Sequence, residues 1–506
     1  MTIDTHKPFR HTRKAFFISS QTGKTMSHSM QTKRIAALSL TLALTACATT
    51  TFESPDSNFQ GKVSVVETPL IVAGTEVKIA GRDFKPGQQV SLLYGDTTLS
   101  GSPATVGADG TFKTQFKVPA SAQAGRHSLV VNAVKPTAAL VVALKVSPNL
   151  PLSGLDRFDL KASKLTNGLY QAAYSMKNDR VFVTSAVGRP PVTQTELLKV
   201  HPQTLAIEAR VTPAAAPAPA PRANATAAPA AAAPAKPALY AVYGIGVDDA
   251  NGTVWVTNTR QNTLAVYNQA DLKLIKQFEP DAVPHPRDVQ IDTKHGKAYV
   301  TPLNKGSISV FDTKTLTFLK DLQIPSSLAA GTGRGNNAEA KPFSAMSLEL
   351  DAANDRLYTV SMSTNEAAVI NTANDTVEKV FALDGALSAI GVAYDRTANR
   401  LLVASQGSDN LLIVDVATGK TLHEVKVGAG ALNVAFDQVT RLAYVSNRGA
   451  DTVTVVDADG KIVANLPGGS YPNHVVVDGK GGAFAINKAR GTDDPKGDQI
   501  TYIKPR

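Results

Sequence analysis

The chain of 506 residues contains one cysteine and one tryptophan. A single thiol excludes an internal disulfide framework and a cysteine-ligated metal cluster within one molecule. No Cys-x-x-Cys-His haem-attachment word and no Gly-x-Ser-x-Gly nucleophile elbow occur, which removes two large classes of enzyme. After Cys47 there is no uninterrupted apolar run long enough to span a membrane, so a transmembrane helix is not expected. The Gly-rich stretch around Gly331 fits no phosphate-loop spacing, and the Ala/Pro tract at 213–237 reads as an extended spacer.

The position of the lone cysteine explains it. Lys33-Arg34 precede an apolar stretch at 35–46, a basic segment followed by a hydrophobic one too short to span. The word Leu44-Thr45-Ala46-Cys47 resembles a bacterial lipobox, and the resemblance implies cleavage before Cys47 and lipid attachment to its thiol. Residues 1–46 are then a signal segment, with Met26 or Met30 as a more ordinary start, and 47–60 a lipid-anchored tether. Ala48-Thr49 rather than an acid after the cysteine favours outer-membrane anchoring, facing the periplasm or the cell surface. Residues 1–46 carry seven Lys/Arg and one Asp, so their removal lowers the formal charge from +10 to +4. So small an excess creates no strong global field, and any anion site must come from local clustering.

What is present is repetition. Seven short β-rich words recur: VFVTS at 181–185, VWVTN at 254–258, AYVTP at 298–302, LYTVS at 357–361, LLVAS at 401–405, AYVSN at 443–447 and AFAIN at 483–487. A spacing of roughly 40 residues with several strands per unit predicts a propeller, because no unit buries its faces alone. The words and the closures that follow them resemble the YVTN-type β-propeller repeats of bacterial and archaeal secreted and surface proteins. Before them, short alternating segments at 61–148 are separated by Pro86-Gly87, Asp109-Gly110 and Ala124-Gly125, the pattern of a small sandwich that resembles bacterial Ig-like modules. The expected fold is therefore all-β: an N-terminal Ig-like β-sandwich at 61–148 and a seven-bladed β-propeller at 156–506.

Four strands per blade, a to d from axis to rim, fix which loops share a face. The a–b and c–d turns are short, whereas the long insertions at 186–191, 213–237, 325–342 and 488–498 all fall on the face of the b–c and d–a loops. Insertions on one side commonly mark the binding side. The seventh blade lacks a fourth strand, and residues 157–162 are the natural donor. That donor strand predicts that the sandwich and the lipid lie behind the short-turn face, pointing the loop face away from the anchor. Two rings of candidate ligand-binding residues occupy the loop face: His285, Arg287, Asp288, Asn433, Asn473 and His474 near the axis, and Arg260, Lys305, Arg448, Lys488 and Arg490 outside them. Together they suit a phosphate or carboxylate. Acids on the same loops, among them Glu196, Glu366, Asp409 and Asp451, predict instead a solvated rim of mixed charge. His285 and His474 occupy equivalent positions, and a metal between them requires a third ligand such as Asp288.

Function follows less directly than fold. The expectation is a non-catalytic cell-envelope lipoprotein, without cofactor or metal, that binds a protein, glycan or nucleic acid through the loop face. The alternatives are a metal-assisted hydrolase, lactonase-like propeller or dehydrogenase at the central channel, and a propeller that binds single-stranded DNA as one YVTN-type relative does. Trp255 lies inside a strand word and is expected in the core between blades, not on a stacking surface.

Overall fold

The structure is a computed structural model and describes residues 55–99, 103–217, 236–303, 305–328 and 341–506. The signal segment, Cys47, most of the Ala/Pro tract and the glycine-rich loop lie outside the described residues. Among the described residues, no helix is long and apolar enough to cross a membrane.

Seven four-stranded antiparallel sheets make up the C-terminal body. Their inner strands are Leu169–Ser175, Ile245–Asp248, Pro286–Asp292, Ala345–Asp351, Ala389–Asp395, Ala431–Asp437 and Pro472–Val477. Each inner strand packs on the next, and the first packs on the last, so the ring is closed. The repeated words form the second strands, such as Thr253–Asn258, which are buried at every position. A strand covered on both faces by neighbouring blades reads as a continuous apolar run, which is why the words lack a polar alternation. Trp255 is fully buried there, with ring centroids 5.8 Å from Phe278 and 6.2 Å from Phe311. The outermost strands are wetter; in Thr317–Gln323 the first four residues are exposed.

The polar letters of the words have a structural task. Six inner strands carry a register shift, and a fourth-position threonine of the word fills it in two of them. Thr301 Oγ1 accepts the Asp288 amide at 3.0 Å and donates to the Met346 carbonyl of the next blade at 3.0 Å. Thr184 does the same for Gln171 and Tyr243. At the other end of the inner strands, Asp248, Asp292, Asp395, Asp437 and Asp478 each accept two amides of the a–b turn. These carboxylates are turn caps of the Asx type.

The seventh sheet is completed from the N-terminal side: Phe158–Lys164 pairs antiparallel with Gln499–Pro505. Pairing of this kind removes an open edge. Residues 55–99 and 103–148 form a two-sheet body. Lys62–Val66, Glu76–Arg82 and Phe112–Lys117 make one sheet, while Gln89–Tyr94, Gly125–Val134 and Ala138–Val146 dominate the other. Val77, Ile79, Val90, Leu92, Phe112, and Val131 share a core between them.

The N-terminal module does not lie behind the short-turn face, which corrects the expectation drawn from the donor strand. Lys145 Nζ reaches the Gln406 carbonyl at 3.1 Å and the buried Asp409 carboxylate at 2.7 Å, both in a b–c loop. The reason is the connection. Before the donor strand begins, Ser153 bridges antiparallel to Asn465 in Ile462–Pro467, so the chain first descends the rim of the sixth blade and only then turns upward. Gly154, at φ 67°, allows that descent, since a Cβ there would meet Ala464 Cβ and the Val463 carbonyl at 2.8 Å.

Candidate functional site

The register of the inner strands sorts the predicted residues into two successive rings. Taking the residue paired with the last letter of the word as the reference (Pro286 with Pro302, Pro472 with Asn487), the next position holds Tyr170, Arg287, Met346, Ile390, Leu432 and Asn473. Tyr243, whose amide bonds the Thr257 carbonyl, takes this place in the second blade. One residue further along stand Gln171, Asp288, Ser347, Asn433 and His474.

The deeper ring clasps blades to one another. Gln171 Oε1 accepts the Ile245 amide at 3.1 Å, Asp288 the Leu348 amide at 2.9 Å, Asn433 the Val475 amide at 2.9 Å, and His474 Nδ1 the Ala172 amide at 3.4 Å. Asp288, Asn433 and His474 are thus inter-blade fasteners around the channel, not ligands gathered at one point. His285 and His474 are also not equivalent: His285 aligns with Tyr471, and His474 with Asp288. The sequence misled here because each histidine follows a proline within two residues, and only the pairing shows which proline matches which. Among the described residues, no group of three His, Cys, Asp or Glu is placed to hold a metal.

The channel below this ring encloses about 230 Å³ and is lined by the inner strands of all seven blades. Glu349 faces it with its carboxyl pushed up to about 8, chiefly by burial, with the neighbouring Asp288 and Asp351 adding to the effect against Arg396. Burial raises Asp288 to about 6. His474 is lowered to about 4 for the same reason and is neutral at pH 7. Above the channel a throat of about 40 Å³, bordered by Tyr170, Arg287, Ile390, Leu432 and Asn473, leaves room for little more than a water.

The upper ring opens into a mouth on the loop face. Tyr170 and Tyr243 meet edge to face, centroids 4.8 Å apart. Arg287 Nη1 donates to the Tyr170 hydroxyl and Arg260 Nε to the Tyr243 hydroxyl, each at 3.4 Å. Lys488 stands 5.8 Å from the Tyr170 ring and donates to the Ala186 carbonyl at 2.9 Å. Arg448 lies 4.7 Å from the Tyr471 ring and donates to Asn473, whose amide in turn donates to the Tyr170 carbonyl at 2.5 Å. Arg490 covers Tyr471 at 4.6 Å and forms a two-pronged pair with Asp451 at 2.7 Å. Tyr471 and His285, at matching positions before their inner strands, hold φ of 46° and 44°, values that bulky residues seldom adopt.

Among the described residues, Arg260, Arg287, Arg448 and Lys488 have no carboxylate within ion-pair distance. Of the acids expected to balance them, Glu366 is engaged by Ser326 and Ser327, Asp409 by Lys145 and the Gly430 amide, and Glu196 loosely by Arg210 at 3.6 Å, whereas Asp451 pairs at the mouth with Arg490. The basic groups respond to one another. Burial and then Arg448 lower Lys488, burial lowers Arg448, and burial with Arg287 and Arg260 lowers His285. The mouth thus holds four cations without an ion-pair partner among the described residues, beside the Arg490–Asp451 pair and with Asp498 opposing the effect of Arg448 on Lys488. Of the predicted set, Arg260, His285, Arg287, Arg448, Asn473, Lys488 and Arg490 come together. Lys305 pairs instead with Asp321 of its own blade at 2.6 Å. Sequence reasoning missed Tyr170, Tyr243 and Tyr471; the available signal was an aromatic beside the start of an inner strand, as in Tyr471-Pro472.

No family model and no curated protein sequence matches the chain. Similar solved structures include a streptogramin B lyase, 13% identical with a TM-score of 0.50, covering 70% of this chain and all of that one. U3-55K is 8% identical with a TM-score of 0.52, covering 70% and 99%. Virginiamycin B lyase from Staphylococcus aureus is 15% identical with a TM-score of 0.49, covering 69% and 100%. At these identities the likeness concerns the fold alone, and that fold is a β-propeller.

Proposed function

We propose that this chain is a non-catalytic binding protein of the bacterial cell envelope that takes an anionic group, carboxylate or phosphate, at the tyrosine-lined mouth of its propeller. The observation that carries this reading is the set of four cations, Arg260, Arg448 and Lys488 near tyrosine rings and Arg287 on the Tyr170 hydroxyl, with no carboxylate within ion-pair distance among the described residues. Guanidinium groups held in place by tyrosine faces and by Asn473 are preorganised to donate charge-assisted hydrogen bonds. The YVTN-type repeat, the Ig-like character of the N-terminal module and the lipid anchor at Cys47 belong to the same reading, and they rest on the sequence words. With the module docked on the loop face, such an anchor would tether the chain on the side where the mouth opens.

Titration calorimetry at low ionic strength with inorganic phosphate and with acetate tests the site. Binding in the wild type, a loss of about tenfold or more in Arg287→Gln/Arg448→Gln, and no change in Lys305→Gln are expected. Binding indifferent to the double substitution, or none in the wild type, would overturn the proposal. Single-stranded DNA is the competing partner. It is weakened by the burial of Trp255 and by the two arginines, Arg448 and Arg490, that already lie over the Tyr471 ring.

A further inference from the structure

Beside the mouth, a cleft of about 580 Å³ separates the N-terminal module from the propeller. Its module wall is formed by Val65, Pro69, Leu70 and Ile71, of which Val65 and Leu70 are only partly buried. Its propeller wall is formed by Ala429, Gly430, Arg448 and Tyr471. Arg448 and Tyr471 therefore belong to both spaces: the same half-buried guanidinium that borders the mouth also borders the cleft. Clefts of this size at the junction of two folded bodies are the usual place for small ligands, with apolar walls and a few fixed polar groups. Here the polar groups are Thr68, Lys145, Ser147, Gln406 and Arg448; Lys145 is paired with Asp409, whereas Arg448 has no carboxylate within ion-pair distance among the described residues and faces the same space as the aliphatic side chains.

We infer that the cleft takes a single-chain amphiphile with an anionic head, the head at Arg448 and its neighbouring cations and the apolar chain along Val65, Pro69 and Leu70. This inference rests on the anion-binding reading of the mouth and adds the chemical class of the ligand. Charge complementarity selects the head, and the facing aliphatic side chains select the tail. A bilayer surface does not fit between two walls held together by the Lys145–Asp409 pair at 2.7 Å, so the occupant is one molecule.

Decanoate below its micelle concentration, compared with acetate by calorimetry on the full chain, tests this. Burial of methylenes against the module wall is expected to make decanoate at least about 30-fold tighter, and Leu70→Asp to abolish that advantage. Arg448→Gln is expected to weaken both ligands. Equal affinity of acetate and decanoate in the wild type would overturn the amphiphile inference while leaving the anion site standing. Failure of both to bind would remove the anion site and the inference with it. The wild-type comparison needs no variant, so it holds even where Leu70→Asp fails to fold.

Discussion

On the short-turn face Arg441 grips both oxygens of the buried Asp395 at 2.6 Å, Arg396 reaches Asp351 at 2.9 Å, and Lys297 reaches Asp375 at 2.8 Å. On the loop face Arg448, Arg287, Arg260 and Lys488 find tyrosines and carbonyls instead. The first arrangement joins neighbouring blades and spends its charge internally. The second holds its cations without an ion-pair partner among the described residues, at the cost of burial, which lowers Lys488 and Arg448, and of repulsion by Arg448 on Lys488. The same residue types thus serve cohesion at one end of the ring and, on the proposed reading, reception at the other, and what separates them is whether an acid stands opposite.

The largest expected effect breaks this contrast directly. Arg441→Ala leaves Asp395, 1% exposed, without its cation, and removal of one partner from a buried pair is strongly destabilising. Because Arg441 itself is a third exposed, about 2–3 kcal/mol is expected in urea unfolding, read as a lower midpoint at constant slope. Arg448→Gln, which strands no carboxylate and relieves repulsion on Lys488, is expected to leave the midpoint unchanged within about 0.5 kcal/mol. Comparable losses in the two variants would mean that the loop-face cations are structural after all.

A slightly smaller effect concerns the channel that connects the two faces. The Glu349 carboxyl is raised to about 8 from an ordinary 4.5. Its folded state therefore holds a proton that the unfolded chain releases, so its contribution is full below pH 4.5 and is lost as pH rises through 8. Glu349→Gln keeps the neutral shape and removes the titration. Thermal unfolding of the variant is expected to be flatter between pH 5 and pH 8 and more stable at pH 8 by on the order of 2 kcal/mol. An unchanged pH profile would show that the channel is wet enough to ionise this group.

How much of this could be read from the chain differs with the physics involved. Blade count, the covered second strands and the closing strand follow from local alternation and turn residues, which act within a few positions. The side of the N-terminal module was misread because ten residues between Ser147 and Phe158 are enough to run the height of a blade and reverse, and nothing in their composition fixes the direction. The arginines and lysines of the loop face were visible as residues; which of them pair with an acid, as Arg490 and Lys305 do, and which do not among the described residues was not. Whether Asp409 answers Lys145 or a loop cation depends on side chains more than 260 positions apart, and no local pattern encodes it. The roles of Asp288 and His474 were hidden for a related reason: a one-residue bulge decides whether a side chain lies at the mouth or clasps the next blade.

That last distinction sets the smallest predicted effect. His474 holds the Ala172 amide through Nδ1, as Asn433 holds Val475 through its side-chain oxygen one blade earlier. Nδ1 must be unprotonated to accept, and burial keeps it so by lowering the ring to about 4 against an ordinary 6.5. The unfolded chain takes up a proton that the folded one refuses, so this group favours unfolding as pH falls from 6.5 toward 4. Asn supplies an acceptor without a titration. His474→Asn is expected to match the wild type at pH 7.5 and to exceed it at pH 5 by about 1 kcal/mol, with anion binding at the mouth retained at pH 7.5. If the variant instead loses phosphate and acetate binding at pH 7.5 while folding normally, the two rings are not separate in function, and His474 reaches the ligand through the throat.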